Sequence, residues 1–125
     1  MGIRFGDVTL ISREVLRLRA FYEGIFGKKG EGDAVHSGLR IGELALSFDS
    51  AELLAQNPAF GYAAAGASNA VVISFEVEDA DAEYERLLTL GVLTLNCPTT
   101  HSWGARSFQF RDPDGNILNF RSLPG

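Results

Sequence analysis

The most informative segment for the fold lies in the second half of the chain, at residues 70–91, which read AVVISFEVEDADAEYERLLTLG. Residues 70–78 alternate between apolar and polar side chains, which is the pattern of a strand with one buried face. Asp79 follows as a helix N-cap, and Gly91 is a residue type that commonly ends helices. The segment therefore predicts a strand followed directly by an amphipathic helix. The residues predicted on the buried face of this helix are Ala80, Tyr84, Leu87 and Leu88.

The same order of elements occurs earlier in the chain, at residues 3–27. A β-prone run at residues 3–11 is followed by Ser12, whose hydroxyl is placed to accept a backbone N–H as a helix N-cap. Apolar residues then recur at helical spacing until Gly27, which is predicted to end the helix in the left-handed conformation. The two segments predict a structural repeat.

Short apolar runs follow each helix. After the first helix, residues 39–41 and 44–48 flank Gly42-Glu43, which predicts a two-residue hairpin turn. After the second, strands are predicted near residues 92–95, 105–111 and 117–121. The last two are joined by Asp112-Pro113-Asp114-Gly115-Asn116, a turn sequence with proline and glycine where a turn needs them.

These elements predict an α+β fold of two tandem βαβββ modules in a single domain. The expected boundaries are a first module at residues 1–50, a connector at residues 51–69 and a second module at residues 70–125. One module of about 55 residues would bury too little surface to be stable alone, so we expect the two modules to pair.

Composition, net charge and cysteine count exclude several classes of function. The 125 residues are 46% hydrophobic and 22% charged, as in an ordinary globular protein. The net charge of −5 has the wrong sign for general affinity to a phosphate backbone, so nucleic acid is not expected as a partner. Cys97 is the only cysteine, which excludes an intrachain disulfide and a zinc site of several thiolates, and fits a reducing cytoplasm. No apolar run approaches about 20 residues, so no membrane span is expected.

The quoted segments together resemble the vicinal oxygen chelate superfamily, which contains glyoxalases, bleomycin resistance proteins and dioxygenases. The resemblance covers nearly the whole chain and rests on motifs in both modules. These are Phe21-Tyr22-Glu23 with Phe26-Gly27, Phe75-Glu76-Val77-Glu78-Asp79, Trp103-Gly104-Ala105-Arg106, and Phe110-Arg111 before the DPDGN turn. The resemblance implies paired modules whose curved mixed sheet encloses a cavity, commonly completed by a second subunit.

Enzymes of this superfamily typically hold a divalent metal with His or Gln on the first strand of each module and Glu on the last. The corresponding positions in this chain are Asp7, Val72, Asn119, and Ala45 or Ser47. Valine has no donor atom, and an asparagine carbonyl is a poor replacement for a carboxylate. The expectation is therefore that no metal and no other cofactor is bound, and no catalytic residue is assigned.

Strand alternation assigns side chains to the predicted cavity, because the helices are expected to cover the other face of each sheet. A regular hairpin at the DPDGN turn would place Gln109 opposite Asn119. Trp103 and the connector aromatics are expected to provide flat walls for a ligand. The predicted ligand-binding residues are Asp7, Thr9, Phe60, Tyr62, Ser74, Glu76, Trp103, Gln109 and Asn119.

The leading interpretation is a metal-independent homodimer that sequesters a small organic molecule, such as a drug or natural product. With Asp7 and Glu76 as its acids and Arg121 as its only inward base, the cavity predicts planar cationic or neutral ligands over anionic ones. One alternative is a metal-dependent lyase, isomerase, dioxygenase or thiol transferase with divergent ligands. Another is a structural or regulatory partner domain with a filled cavity.

Overall fold

The computed structural model describes Gly2, residues 7–52, Gln56, residues 72–101 and residues 103–124. The chain divides into two compact units, Met1–Gly66 and Ala67–Gly125. Each unit is a βαβββ module with a mixed four-stranded sheet, which confirms the predicted fold class. The predicted connector lies outside the described residues except for Ala51, Glu52 and Gln56, so its boundaries stay a prediction.

The described elements of the first unit are β1 (Val8–Ser12), α1 (Val15–Phe26), β2 (Glu31–Gly32), β3 (His36–Ile41) and β4 (Leu44–Ser50). The four strands lie in the spatial order β1-β4-β3-β2. Strand β1 runs parallel to β4, and the other neighbours are antiparallel. The predicted hairpin is confirmed, since Ile41 pairs with Leu44 across a turn in which Gly42 has φ 60°.

Helix α1 begins differently from the prediction and ends as predicted. Ser12 is the last residue of β1, and Glu14 is the N-cap, without a side-chain capping bond. The Ser12 hydroxyl accepts the Glu14 N–H at 3.0 Å, so it closes a local turn before the helix instead of capping the helix itself. Gly27 ends the helix with φ 63°, the left-handed conformation that glycine adopts without strain.

The predicted apolar face of α1 forms the core of the first unit. Leu18 and Tyr22 are fully buried, and the Tyr22 ring lies 5.4 Å from that of Phe48 on β4. Helix α1 therefore covers the face of the sheet that bears Phe48. The opposite face, which we call the open face of the first sheet, carries the alternate residues of β3 and β4.

The second unit repeats this plan with β5 (Val72–Glu76), α2 (Ala80–Thr89), β6 (Thr99–Thr100), β7 (Arg106–Arg111) and β8 (Ile117–Ser122). Its strands lie in the order β5-β8-β7-β6, with β5 parallel to β8. Asp79 caps α2 as predicted, because its Oδ1 accepts the Ala82 N–H at 3.1 Å. None of the helices in the described ranges has the length and hydropathy of a membrane span.

Two details of the second unit differ from the prediction. Leu88 was expected on the buried face of α2 but is 43% exposed, because it lies a further 100° around the helix from Leu87, which is fully buried. The strand expected at residues 92–95 is reduced to a single bridge between Thr94 and Phe110. There the Asn96 side chain accepts the Gln109 N–H at 2.8 Å, which removes the donor that a continuing ladder would need.

The turn between β7 and β8 is organised by a buried carboxylate. Asp112 is 4% exposed, and its Oδ1 accepts the N–H groups of Asp114 and Asn116, both at 2.9 Å. Gly115 has φ 89°, a value that side chains rarely tolerate. The turn confirms the prediction and sets the register of the hairpin, in which Gln109 faces Asn119.

Candidate functional site

The second sheet has one apolar face and one polar face. Phe108, Phe110 and Phe120 are buried on the side of α2, where the Tyr84 ring lies 5.2 Å from that of Phe108. The intervening residues of β5, β7 and β8 point away from α2, since successive strand residues alternate between faces. We call this side the open face of the second sheet.

Polar side chains form a hydrogen-bonded row across the open face. Gln109 Nε2 donates to Asn119 Oδ1 at 2.6 Å, and Asn119 Nδ2 donates to Ser74 Oγ at 3.2 Å. At the other end, Asn96 Nδ2 donates to Gln109 Oε1 at 2.6 Å. These four residues are called the amide row. Register places three of them together, because Ser74, Asn119 and Gln109 are direct partners across three neighbouring strands.

The amide row retains hydrogen-bonding capacity. A carboxamide nitrogen has two N–H donors, and each of the three amides uses one of them within the row. The remaining N–H groups and the Ser74 hydroxyl proton have no partner among the residues that the structure describes. The row can therefore donate to a ligand laid across the sheet.

A second row lies beside the first. Glu76 and Arg121 are cross-strand partners, with Arg121 Nη2 3.5 Å from Glu76 Oε1. Arg121 also faces Ser107, whose hydroxyl is 2.9 Å from His101 Nε2. The expected acid Glu76 is thus accompanied by a cation and is 60% exposed, so its charge does not by itself demand a cationic ligand.

Trp103 provides a flat apolar surface near this second row. Its ring stacks on His101, with centroids 4.6 Å apart and planes 8° from parallel, while 73% of Trp103 remains exposed. Since His101 also contacts Ser107, the stacked pair is tied to the sheet. One face of the indole is covered by His101, and the other face is available to a planar ligand.

The predicted site residues fall into three groups. Ser74, Gln109 and Asn119 are brought together in the amide row, and Glu76 and Trp103 belong to the same unit. Asp7 and Thr9 belong to the first unit, where Thr9 pairs with Ser47 and the Ser47 hydroxyl donates to Asp7 Oδ2 at 2.8 Å. Phe60 and Tyr62 lie outside the described residues.

Sequence reasoning missed several polar groups. Asn96 and His101 precede β7 in segments without periodicity, so no sequence pattern predicted that they would contact the sheet. Arg40 was missed although alternation on β3 gives it the same face as His36 and Gly38. The expectation that Arg121 is the only inward base is therefore wrong, because Lys28, Lys29 and Arg40 line a pocket of the first unit.

The positions expected to correspond to the superfamily's metal ligands carry side chains that do not fit a metal ion. Val72 has no donor atom, and the Asn119 amide is engaged with Gln109 and Ser74. Ser47 donates its hydroxyl to Asp7, which leaves one carboxylate and no imidazole in the set. Within the described ranges, no group of three or more His, Cys, Asp or Glu residues is arranged to hold a metal ion.

Comparison with known proteins decides the family. The sequence profile of the Glyoxalase/Bleomycin resistance protein/Dioxygenase superfamily matches residues 4–120. The chain belongs to this superfamily. The superfamily includes both enzymes and binding proteins, so membership alone does not decide between catalysis and binding.

Solved structures of the superfamily agree with the observed modules. A family enzyme from Burkholderia phytofirmans PsJN has a TM-score of 0.83 at 16% identity, covering 95% of this chain and 100% of its own. The fosfomycin resistance protein FosX from Listeria monocytogenes has a TM-score of 0.74 at 19% identity, covering 99% and 97%. At these identities the likeness shows the fold alone.

The chain is also similar in sequence to a curated relative, the uncharacterized protein YraH of Bacillus subtilis strain 168. It is 36% identical over 58 residues, which are 46% of this chain and 45% of YraH. The chain thus spans about half the length of the curated relative that it matches.

Proposed function

We propose that this superfamily member binds a small organic molecule without a metal, and that the open face of its second sheet is the binding surface. The observation that carries the proposal is the amide row. It crosses three strands and includes Asn119, the position that the family resemblance assigns to the carboxylate ligand of the metal-dependent enzymes. A neutral, hydrogen-bonded amide is thus present where the resemblance leads one to expect a carboxylate.

The amide row favours a ligand with several polar atoms in one plane. Its donors are arranged along a line, at strand spacings of about 4.8 Å. Each well-formed hydrogen bond contributes about 0.5–1.5 kcal/mol net. Two or three such bonds give orientation and modest affinity. Trp103 supplies the apolar contact that a planar ligand needs, and stacking on an aromatic ring contributes about 0.5–1.5 kcal/mol.

The charges on and around the open face of the second sheet favour planar neutral or cationic ligands. Arg121 balances Glu76, so the open face of the second sheet carries no unmatched acid from this pair. The free indole face of Trp103 attracts cations, by about 0.5–2 kcal/mol. The net charge of −5 adds a weak long-range attraction in the same direction. Sequestration of a drug or natural product by a cytoplasmic homodimer is the biological role proposed for this binding.

Fluorescence of Trp103, the only tryptophan, tests the proposal directly. A thermal-shift screen of planar amides and amines first identifies a ligand, because binding to the native state raises Tm. The ligand is then titrated into wild type, Asn119→Leu and a control, Gln56→Leu, which removes an exposed amide outside the second unit. Quenching that is lost only in Asn119→Leu supports the proposal.

Two results would contradict it. Purified protein with stoichiometric Zn²⁺, Ni²⁺, Mn²⁺ or Fe²⁺, whose removal abolishes an activity, would establish the metal-dependent alternative. Equal affinity of wild type and Asn119→Leu would show that the ligand binds elsewhere. Sedimentation at micromolar concentration tests the homodimer separately, and a monomer alone would remove that part of the proposal.

A further inference from the structure

The first unit contains a pocket that the proposed function does not use. Its volume is about 670 Å³, within the range of small-molecule sites. Its floor lies on the open face of the first sheet, where β3 and β4 bear Gly38, Ala45 and Ser47. Because these side chains are small and neighbouring in the register, the sheet leaves a depression there.

Basic side chains surround this depression. Lys28, Lys29 and Arg40 line the pocket, and none of them makes an ion pair with another described residue. Glu31 is the carboxylate among the lining residues. His36 stands on β3 two residues before Gly38, and its ring is hydrogen-bonded to Asp49. Three cations against one acid make the pocket basic in a chain with net charge −5.

The backbone fixes the segment that carries the two lysines. Before it, Gly27 turns the chain out of α1 in the left-handed conformation. After it, Gly30 is buried and donates its N–H to Glu23 Oε2 at 2.7 Å. A Cβ at Gly30 would lie 2.7 Å from the Gly38 carbonyl oxygen, so the segment packs directly against β3. Gly27 and Gly30, on either side of the two lysines, therefore hold this segment at the pocket.

We propose that this pocket binds a small organic molecule through its phosphate or carboxylate group, with Lys28, Lys29 and Arg40 as the anion-binding residues. Phosphate and carboxylate oxygens accept charge-assisted hydrogen bonds from ammonium and guanidinium groups, which are stronger than neutral ones. Uncompensated cations at a concave surface also raise the local concentration of anions. Every residue invoked belongs to the first unit, so this inference stands independently of the amide row.

Isothermal titration with phenyl phosphate tests the proposal, with benzylamine as the cationic probe of similar size. We expect phenyl phosphate to bind wild type and benzylamine to show no heat that depends on these residues. Lys29→Gln and Arg40→Gln should each weaken phenyl phosphate binding about three- to tenfold. The matched control is Arg13→Gln, which also removes one positive charge from an exposed position of the first unit but lies outside the pocket.

A second variant reduces the volume of the pocket and keeps its positive charges. Ala45→Leu fills the floor of the pocket, so it should abolish phenyl phosphate binding while circular dichroism and Tm show a folded protein. Equal weakening by Arg13→Gln and Arg40→Gln would show attraction by net charge alone and overturn the proposal. So would undiminished binding in Ala45→Leu, or no binding by wild type. The Trp103 fluorescence titration tests the second unit alone, so failure of the phenyl phosphate test and failure of the proposed function are distinguishable.

Discussion

Gln109 Nε2 donates to Asn119 Oδ1 at 2.6 Å, across the two strands that the DPDGN turn joins. The contact joins the hairpin of the DPDGN turn to Asn119, the position that the family resemblance assigns to a metal ligand. Because both amides also bond outward, to Asn96 and to Ser74, a change at either one alters the whole row.

Replacement of Asn119 by leucine should disrupt the row. The variant leaves Gln109 Nε2 without its acceptor, so the free energy of unfolding should fall by about 1 kcal/mol. Affinity for a planar ligand should fall about tenfold or more, since the row is proposed to contact it. Urea denaturation and Trp103 quenching measure the two effects, with Gln56→Leu as the control. Loss of stability without loss of affinity would assign the row a structural role only.

Neutralising Glu76 should change the charge preference of the open face of the second sheet. In Glu76→Gln, Arg121 loses its partner and becomes an uncompensated cation, so anionic aromatic ligands should gain affinity relative to cationic ones. A matched pair such as benzoate and benzamidine, followed by Trp103 fluorescence, measures the ratio. Asp7→Asn is the comparison in the first unit, and it should leave Arg121 paired. An unchanged ratio in Glu76→Gln would place the ligand away from this pair.

His36 should titrate above its ordinary pKa of 6.5. The hydrogen bond and charge of Asp49 raise its pKa, with smaller contributions from Asp33 and Asp7, because a carboxylate favours the imidazolium form. The stabilisation from this pair is fully present below about pH 6.5, and it is lost as pH rises through the raised pKa of the folded state.

Proton NMR of the His36 ring across this pH range gives the measurement. Asp49→Asn should return the pKa of His36 toward 6.5 and flatten the pH dependence of stability in the same window. A pKa of His36 that is unaffected by Asp49→Asn would contradict the contact.

Metal affinity should appear when the missing ligand types are restored. Val72 and Asn119 are diagonal neighbours on β5 and β8, since Val72 pairs with Ile117 and Asn119 pairs with Ser74. Diagonal positions lie about 7–8 Å apart, within reach of an imidazole and a longer carboxylate side chain. Val72→His with Asn119→Glu should therefore bind Zn²⁺ more tightly than wild type.

Competition against a chromophoric chelator compares this double variant with wild type and with Val72→His alone. The affinity should rise from wild type to the single and then to the double variant. If wild type already competes as well as the double variant, the metal ligands lie at positions other than Val72 and Asn119.

Local sequence determined most of the fold. Asp79, Gly27, Gly91 and the DPDGN turn act within a few residues of themselves, so caps and turns follow from local hydrogen bonding and backbone freedom. The register of Gln109 with Asn119 was also predictable, because a short turn leaves the two strands only one pairing that keeps Phe108 and Phe120 on the buried side. Ser12 was misassigned, because a hydroxyl can serve either a turn or a helix cap.

Tertiary structure decided which polar groups meet. Asn96 reaches Gln109, and His101 stacks on Trp103, from segments whose course past β7 no periodicity encodes. Lys28 and Lys29 line the same pocket as Arg40 only because the chain that follows α1 pairs with β3 through β2. A sequence fixes periodic faces through repeating local geometry, whereas contacts between distant residues depend on the packing of whole elements. The fold could therefore be predicted from the sequence, whereas both proposed binding surfaces could be recognised only in the folded chain.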